Sequence, residues 1–352
     1  MEYQKLITAF TSLLILNCTA SSEENGRSVE LLSDSQLKTF SSVAQSPLNR
    51  MPKRKAWKEA VPEAQWITIP STADGTTQSA IFYDSENSRK RPLLVALHSW
   101  SSDYEKQFSI PFGVWAVKND WVFIHPDYRG AYIDSESTAS EYAIQDILDA
   151  LEYAKNNANV DESRIYLTGF SGGGMTTLIM AGRFPQLWTA AAAWVPVYDL
   201  PQWYETTKRS RQTYAAHIEN SCGGPPEPGT KAYRECKKRS VSTYLKNARN
   251  KEIQIFIATG IKDVFVPPGH SFQAFNDLAK KKDRFTREEI TFINKHLKLP
   301  DRLEGNYPDS LFEDAGYNLI FQRSSSNAVL KIYDGNHDIV FNAGLVWLSK
   351  QR

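Results

Sequence analysis

Apolar positions along the chain follow two rhythms. Continuous apolar runs at Pro92-Leu-Leu-Val-Ala-Leu97 and Trp121-Val-Phe-Ile-His125 predict strands covered on both faces. Arg164-Ile-Tyr-Leu-Thr168, Ala190-Ala-Ala-Ala-Trp-Val195, Ile253-Gln-Ile-Phe-Ile-Ala258 and Ala328-Val-Leu-Lys-Ile-Tyr333 continue that series. Upstream, Trp66-Ile-Thr-Ile69 and Ser79-Ala-Ile-Phe-Tyr83 read as two strands joined across Asp74-Gly75, a hairpin signal. The second rhythm is helical: Ile144, Ile147, Leu148 and Leu151 recur between Glu141 and Asn157 with acids on the opposite face, which predicts an amphipathic crossover helix. Strands alternating with helices imply an α/β fold with a mainly parallel sheet flanked by helices, its ligand site at the carboxyl ends of the strands.

One junction between a strand and a helix is unusual. The run ending at Thr168 continues as Gly169-Phe-Ser171-Gly-Gly173 and leads into Met175-Thr-Thr-Leu-Ile-Met-Ala181. Strand, sharp turn and helix in that order form a nucleophile elbow, the signature of a serine hydrolase. Glycines two residues either side of the serine are required because the turn leaves no room for side chains there. The same turn lifts the Ser171 hydroxyl above the sheet edge and aims the first helical amides, beginning with Gly172, at the place where a carbonyl oxygen would acquire charge.

Two further groups complete a triad in the order Ser, Asp, His. Thr259-Gly-Ile-Lys-Asp263 follows the strand ending at Ala258, and Asp334-Gly-Asn-His337 follows the strand ending at Tyr333. Ser171 is expected to attack the carbonyl, His337 to carry the proton and Asp263 to orient the imidazole. Asp263 competes with a role as a helix cap before Pro267, and with Asp334 and Asp338 beside the histidine. It is preferred because the acid must reach the ring from a neighbouring strand. His125, His217, His270 and His296 are expected to be structural, whereas His98 opens the loop Leu97-His-Ser-Trp100 after an early strand. That loop is expected to supply the second oxyanion donor, the backbone amide of Trp100 or of Ser99, with Trp100 favoured.

Composition narrows the setting. With 352 residues, 41% hydrophobic content and a net charge of +1, the chain suits one large domain. The expected organisation is a leader over 1–20, a tether and N-terminal extension over 21–60, and a hydrolase domain over 61–352. Near-neutral charge argues against nucleic acid as the main ligand, and the basic runs at 52–55 and 280–282 read as solvated surface. The eleven-residue apolar stretch from Leu6 to Leu16 is too short to cross a bilayer but suits the core of a signal peptide. Export is therefore expected, to the periplasm, the medium or the cell envelope. Two processing outcomes stay open: lipidation of Cys18, which would anchor the chain to a membrane, or plain cleavage after Ala20 or a nearby small residue. Cys222 and Cys236 bracket Gly-Gly-Pro-Pro-Glu-Pro-Gly, and in an exported chain they are expected to form a disulfide; in the cytosol they would be free thiols. No metal or organic cofactor is expected, since His/Cys ligand spacing is lacking and no Lys-Ser/Thr follows the glycines after Ser171.

Several motifs together carry a family resemblance. His125-Pro-Asp-Tyr-Arg-Gly130, the helix bearing Asp146, Gly-Phe-Ser171-Gly-Gly, Pro196-Val-Tyr-Asp199, Arg239-Ser240, Gly260-Ile-Lys-Asp263 and Gly335-Asn-His337 belong to this set. From about Asp74-Gly75 onward the chain resembles the catalytic domain of the prolyl oligopeptidase family of serine peptidases and its single-domain relatives. The resemblance implies an α/β-hydrolase fold and the triad roles of Ser171, Asp263 and His337. Larger members of the family carry a propeller that restricts access, and the roughly 60 residues upstream here cannot build even a few blades. Two cap insertions, about 199–240 and about 284–322, are expected to control access instead. The first holds eight Lys or Arg against five Asp or Glu, an excess read as solvated surface in preference to an anion site. Its aromatic residues would suit sugar rings but more often pack on a core. Peptide and ester hydrolysis share this triad, so the substrate stays open between a small peptide and an ester, the latter an acetyl or feruloyl group on an oligosaccharide. A non-catalytic binding protein on a hydrolase scaffold is the remaining alternative.

Overall fold

The computed structural model describes residues 21–24, 27–33, 36, 51–305 and 307–352. The expected leader over 1–20, with Cys18, lies outside these residues. At the N-terminus, β1 (Ser21–Glu24) and β2 (Arg27–Glu30) pair antiparallel. The segment expected to begin as a tether thus contributes structure. Val29 and Leu32 are buried, and Leu32 exchanges two hydrogen bonds with the Asn342 side chain. Further along, the N-terminal extension includes the helix Lys53–Ala60, which buries Trp57.

The main sheet contains β3 (Gln65–Pro70), β4 (Thr77–Tyr83), β5 (Arg91–Leu97), β6 (Val122–Pro126), β7 (Val160–Phe170), β8 (Ala190–Trp194), β9 (Gln254–Gly260), β10 (Leu319–Ser325) and β11 (Ala328–Tyr333). Its nine strands lie in the order β10-β11-β9-β8-β7-β5-β6-β4-β3. The six central strands from β11 to β6 run parallel, while β3, β4 and β10 are antiparallel to their neighbours. This is the α/β-hydrolase fold anticipated from the sequence.

Both faces of the sheet are covered, so central strands such as β5 are apolar at every position after Arg91. Leu93, Val95 and Leu97 join Ile144, Leu178 and Phe272 of the helices Glu141–Asn157, Gly172–Arg183 and Gly269–Leu278. The alternate residues Leu94 and Ala96 join Trp57, Trp115 and Leu345 on the other face. This is the period-two alternation of a pleated strand with two buried sides. The crossover helix begins where expected, with the Ser140 hydroxyl accepting from the Ala143 amide at 3.1 Å.

The second insertion departs from expectation. β10 starts at Leu319, inside the segment read as a cap to about 322, so the insertion ends earlier and runs into the sheet edge. Its aromatic residues turn inward. Phe312 is fully buried against Trp194 and Tyr333, and Tyr317 packs on Tyr333 at 5.2 Å. These residues support the strand below His337 and form no lid.

Candidate active site

Five strand ends converge on one rim. β5 ends at Leu97 before the His98–Trp100 loop, β7 at Phe170 before Ser171, β8 at Trp194, β9 at Gly260 before Asp263, and β11 at Tyr333 before His337. Ser171 takes φ 57° and ψ −116°, a left-handed conformation rare for a residue with a side chain and characteristic of a strained elbow. Its amide is tied to the Trp194 carbonyl at 2.9 Å. A Cβ on Gly169 would drive into the Gly173 backbone, and one on Gly173 into the Leu97 and His98 carbonyls. The glycines are therefore steric necessities of the turn.

The three residues expected to act together meet. His337 Nε2 lies 3.0 Å from Ser171 Oγ, and His337 Nδ1 lies 2.7 Å from Asp263 Oδ2. Asp263 is fully buried, and its other oxygen accepts from the amides of Phe265 and Val266 at 2.9 Å each. The competing cap reading of Asp263 thus describes the same residue: one oxygen holds its own loop and the other faces the imidazole. Asp334 accepts from Asn318, and Asp338 from the Asn336 amide, so these acids serve loop geometry.

The backbone nitrogen of Trp100 lies 2.7 Å from where a Cβ on Gly172 would sit. Two amide-bearing segments are therefore adjacent beside the serine, and Trp100 is the residue of the early loop placed there. The Ser99 carbonyl accepts from the Ser102 amide at 3.1 Å and faces His98 Nδ1 at 3.1 Å. Because a trans peptide holds its N–H opposite its C=O, anchoring that carbonyl fixes the direction of the Trp100 N–H.

The first insertion forms a cap over this rim. Trp203, on the helix Leu200–Arg209, packs edge-on to Trp100 at 4.8 Å, and its indole N–H donates to the Phe265 carbonyl at 2.8 Å. The Trp100 indole N–H donates to His217 Nδ1 at 3.3 Å. Trp203 and Tyr204 are buried and Tyr214 packs against the same cluster, as core residues do. Cys222 and Cys236 are bonded, with a Cα–Cα distance of 5.3 Å, joining the helices Tyr214–Cys222 and Lys231–Lys238. Arg239 ties this cap to the carbonyls of Ser135 and Ser137, and Lys237 pairs with Asp199, so part of the basic excess is used internally.

The other histidines take supporting places. His125 is buried and pushed down to about 3 by loss of solvent, and His270 to about 4 for the same reason. His98 is buried, stacked on Tyr128 at 4.1 Å, with Nε2 2.6 Å from the Asp127 carbonyl. Sequence reasoning missed two features. One is the exposed pair Val264 and Phe265 beside His337, whose signal was two apolar residues directly after the acid in a loop. The other is the tyrosine pair Tyr128 and Tyr132, whose partners are distant in sequence.

The model of the prolyl oligopeptidase family matches residues 114–299, which include Ser171 and Asp263, and the chain belongs to that family. It is 32% identical over 146 residues to an acetylxylan esterase of Coprinopsis cinerea, covering 38% of this chain and 39% of that protein. It is 27% identical over 140 residues to acylamino-acid-releasing enzyme 1 of Oryza sativa subsp. japonica, covering 36% and 17% respectively. The matches therefore span well under half the length of these relatives. Prolyl oligopeptidase B of Galerina marginata superposes with a TM-score of 0.50 at 18% identity, covering 61% of this chain and 31% of that one, a likeness of fold. The chain is a serine hydrolase of the prolyl oligopeptidase family.

Proposed function

We propose that this hydrolase is a carboxylesterase that removes small acyl groups, acetyl foremost, from carbohydrate. Ser171 attacks the ester carbonyl while His337 takes its proton, and Asp263 holds the ring in the required tautomer. The amides of Gly172 and Trp100 receive the oxyanion. Collapse expels the sugar alcohol, which takes the proton from His337, and water attacks the acyl-serine with His337 again as base. The carrying observation is the aromatic surround of His337: Phe170 lies 4.8 Å from its ring and Phe265, 46% exposed, 5.6 Å from it. An exposed apolar face there suits a sugar ring stacked on an aromatic side chain. Similarity to the acetylxylan esterase of C. cinerea supports the acetyl choice.

Cleavage of short acylated peptides is the second reading, supported by similarity to the rice acylamino-acid-releasing enzyme. A substrate panel separates the two. Acetylated xylo-oligosaccharides and aryl acetates should exceed N-acylated and proline-containing peptide amides in kcat/KM by at least about a hundredfold, roughly 2.7 kcal/mol in barrier. Feruloylated oligosaccharides test acyl size. Faster turnover of the peptide amides overturns the esterase reading.

We further propose that the chain works outside the cytosol, supported by the apolar stretch Leu6–Leu16 and by the Cys222–Cys236 bond. Fractionation of expressing cells should recover it in the envelope or medium. Metabolic labelling with a fatty-acid analogue distinguishes lipidation at Cys18 from simple cleavage, and recovery from the cytosol alone contradicts export.

A further inference from the structure

Three fully buried hydroxyls join the elbow helix to the loop that carries Trp100. Thr176 Oγ1, in the first turns of the helix Gly172–Arg183, lies 2.6 Å from the Tyr132 hydroxyl. The Tyr132 hydroxyl lies 2.9 Å from that of Tyr128, which donates to the His98 carbonyl at 2.6 Å. Counting protons orders the ends of the row. A carbonyl only accepts, so Tyr128 gives its single hydrogen to His98. The Tyr132 hydrogen faces two acceptors, the Tyr128 hydroxyl at 2.9 Å and the Gly172 carbonyl at 3.3 Å, and with either one Thr176 is left to donate to Tyr132. Burial pushes both phenols above their ordinary range, so both remain protonated donors. The backbone joins in, since the Tyr132 amide donates to the Trp100 carbonyl at 2.9 Å. The carbonyls of His98 and Trp100 flank the Ser99–Trp100 peptide, and both are held by residues of the 128–132 turn.

We infer that Tyr128 and Tyr132 are positioning residues for the oxyanion hole, their hydroxyl row fixing the distance between the Trp100 amide on one loop and the Gly172 amide on the other. This rests on the proposed use of those two amides. Neither tyrosine touches substrate; each acts through backbone it holds. A hydrogen-bond donor stabilises an oxyanion only when aimed at the tetrahedral oxygen, so a loosened row costs transition-state binding and spares ground-state binding.

The experiment uses Tyr128→Phe, Tyr132→Phe and Thr176→Val in the full chain. Each is checked for a cooperative melt and assayed on an aryl acetate. Expected is a fall in kcat of about tenfold to a hundredfold, the scale of a misplacement of about 1 Å, with KM within about twofold of wild type. Affinity for an aryl trifluoromethyl ketone, whose serine adduct carries an oxyanion, should fall by the same factor as kcat/KM. Folded variants with wild-type kcat, or with lower kcat but undiminished ketone affinity, overturn the inference. Should a tyrosine variant fail to fold, Thr176→Val cuts the row at its far end and is read identically. A wild type that neither hydrolyses the ester nor binds the ketone overturns the active-site reading itself, and is told apart because no substitution is involved.

Discussion

At Ser171 the backbone is held in a conformation that a side chain disfavours, and it is held by glycines whose missing Cβ atoms make room for neighbouring main chain. Gly169→Ala would place a methyl group against the Gly173 backbone, which has no flexible end to yield. Overpacking of that kind is expected to lower stability by about 3 kcal/mol or more, read as a reduced midpoint in urea, and an unchanged midpoint would contradict it. Asp263 has a double duty, to the imidazole and to its own loop amides. Asp263→Asn retains a carbonyl oxygen for the loop but presents the wrong partner to His337 Nδ1. Turnover should fall by about a thousandfold or more with little change in melting temperature. Equal turnover would remove Asp263 from the mechanism.

Among the elements, the cap and the helix Gly269–Leu278 carry separable predictions. The Cys222–Cys236 bond closes a short loop between two cap helices, and the chain-entropy estimate for such a loop is about 3 kcal/mol. In Cys222→Ser/Cys236→Ser the cap should become the first site of proteolytic cleavage while the sheet stays resistant, which limited digestion with mass mapping reads directly. First cleavage elsewhere would show that the bond does not set cap stability. His270 on the next helix is buried, accepts from the Tyr198 amide at 3.0 Å, and protonates only near pH 4 in the fold against an ordinary 6.5. Between those values the unfolded chain binds the extra proton and the folded chain does not. The histidine therefore makes stability fall as pH drops from about 6.5 to about 4, by about 1.4 kcal/mol per pH unit. His270→Gln keeps an acceptor for Tyr198 without the titration. Its urea-derived stability should lose correspondingly less over that window, and parallel pH slopes for variant and wild type would contradict the assignment.

Considered as a whole molecule, the architecture brings Ser171 and His337, 166 positions apart, to one rim. Much of that was legible because the chemistry sits at strand ends, and the central strands announce themselves as unbroken apolar runs. Ser171, Asp263 and His337 each follow such a run directly. β10 escaped because an edge strand is covered on one side only: Leu319 and Phe321 are buried while Gln322 and Ser324 are exposed, and this weak alternation blends into the loop before it. The inward packing of Phe312 and Tyr317 and the hydroxyl row from Thr176 to His98 were illegible for another reason. They depend on side-chain directions across separate elements, which no local pattern encodes. The family resemblance drawn from the motifs agrees with the matched region 114–299, although His337 lies beyond it. The same layout places the whole account at risk from a single experiment. Wild type and Ser171→Ala are reacted with a fluorophosphonate probe, and the modified peptide is identified by mass spectrometry. One adduct, on Ser171, is expected in the wild type and none in the variant; an adduct on any other residue, or equal labelling of both proteins, would contradict the role of Ser171 as nucleophile.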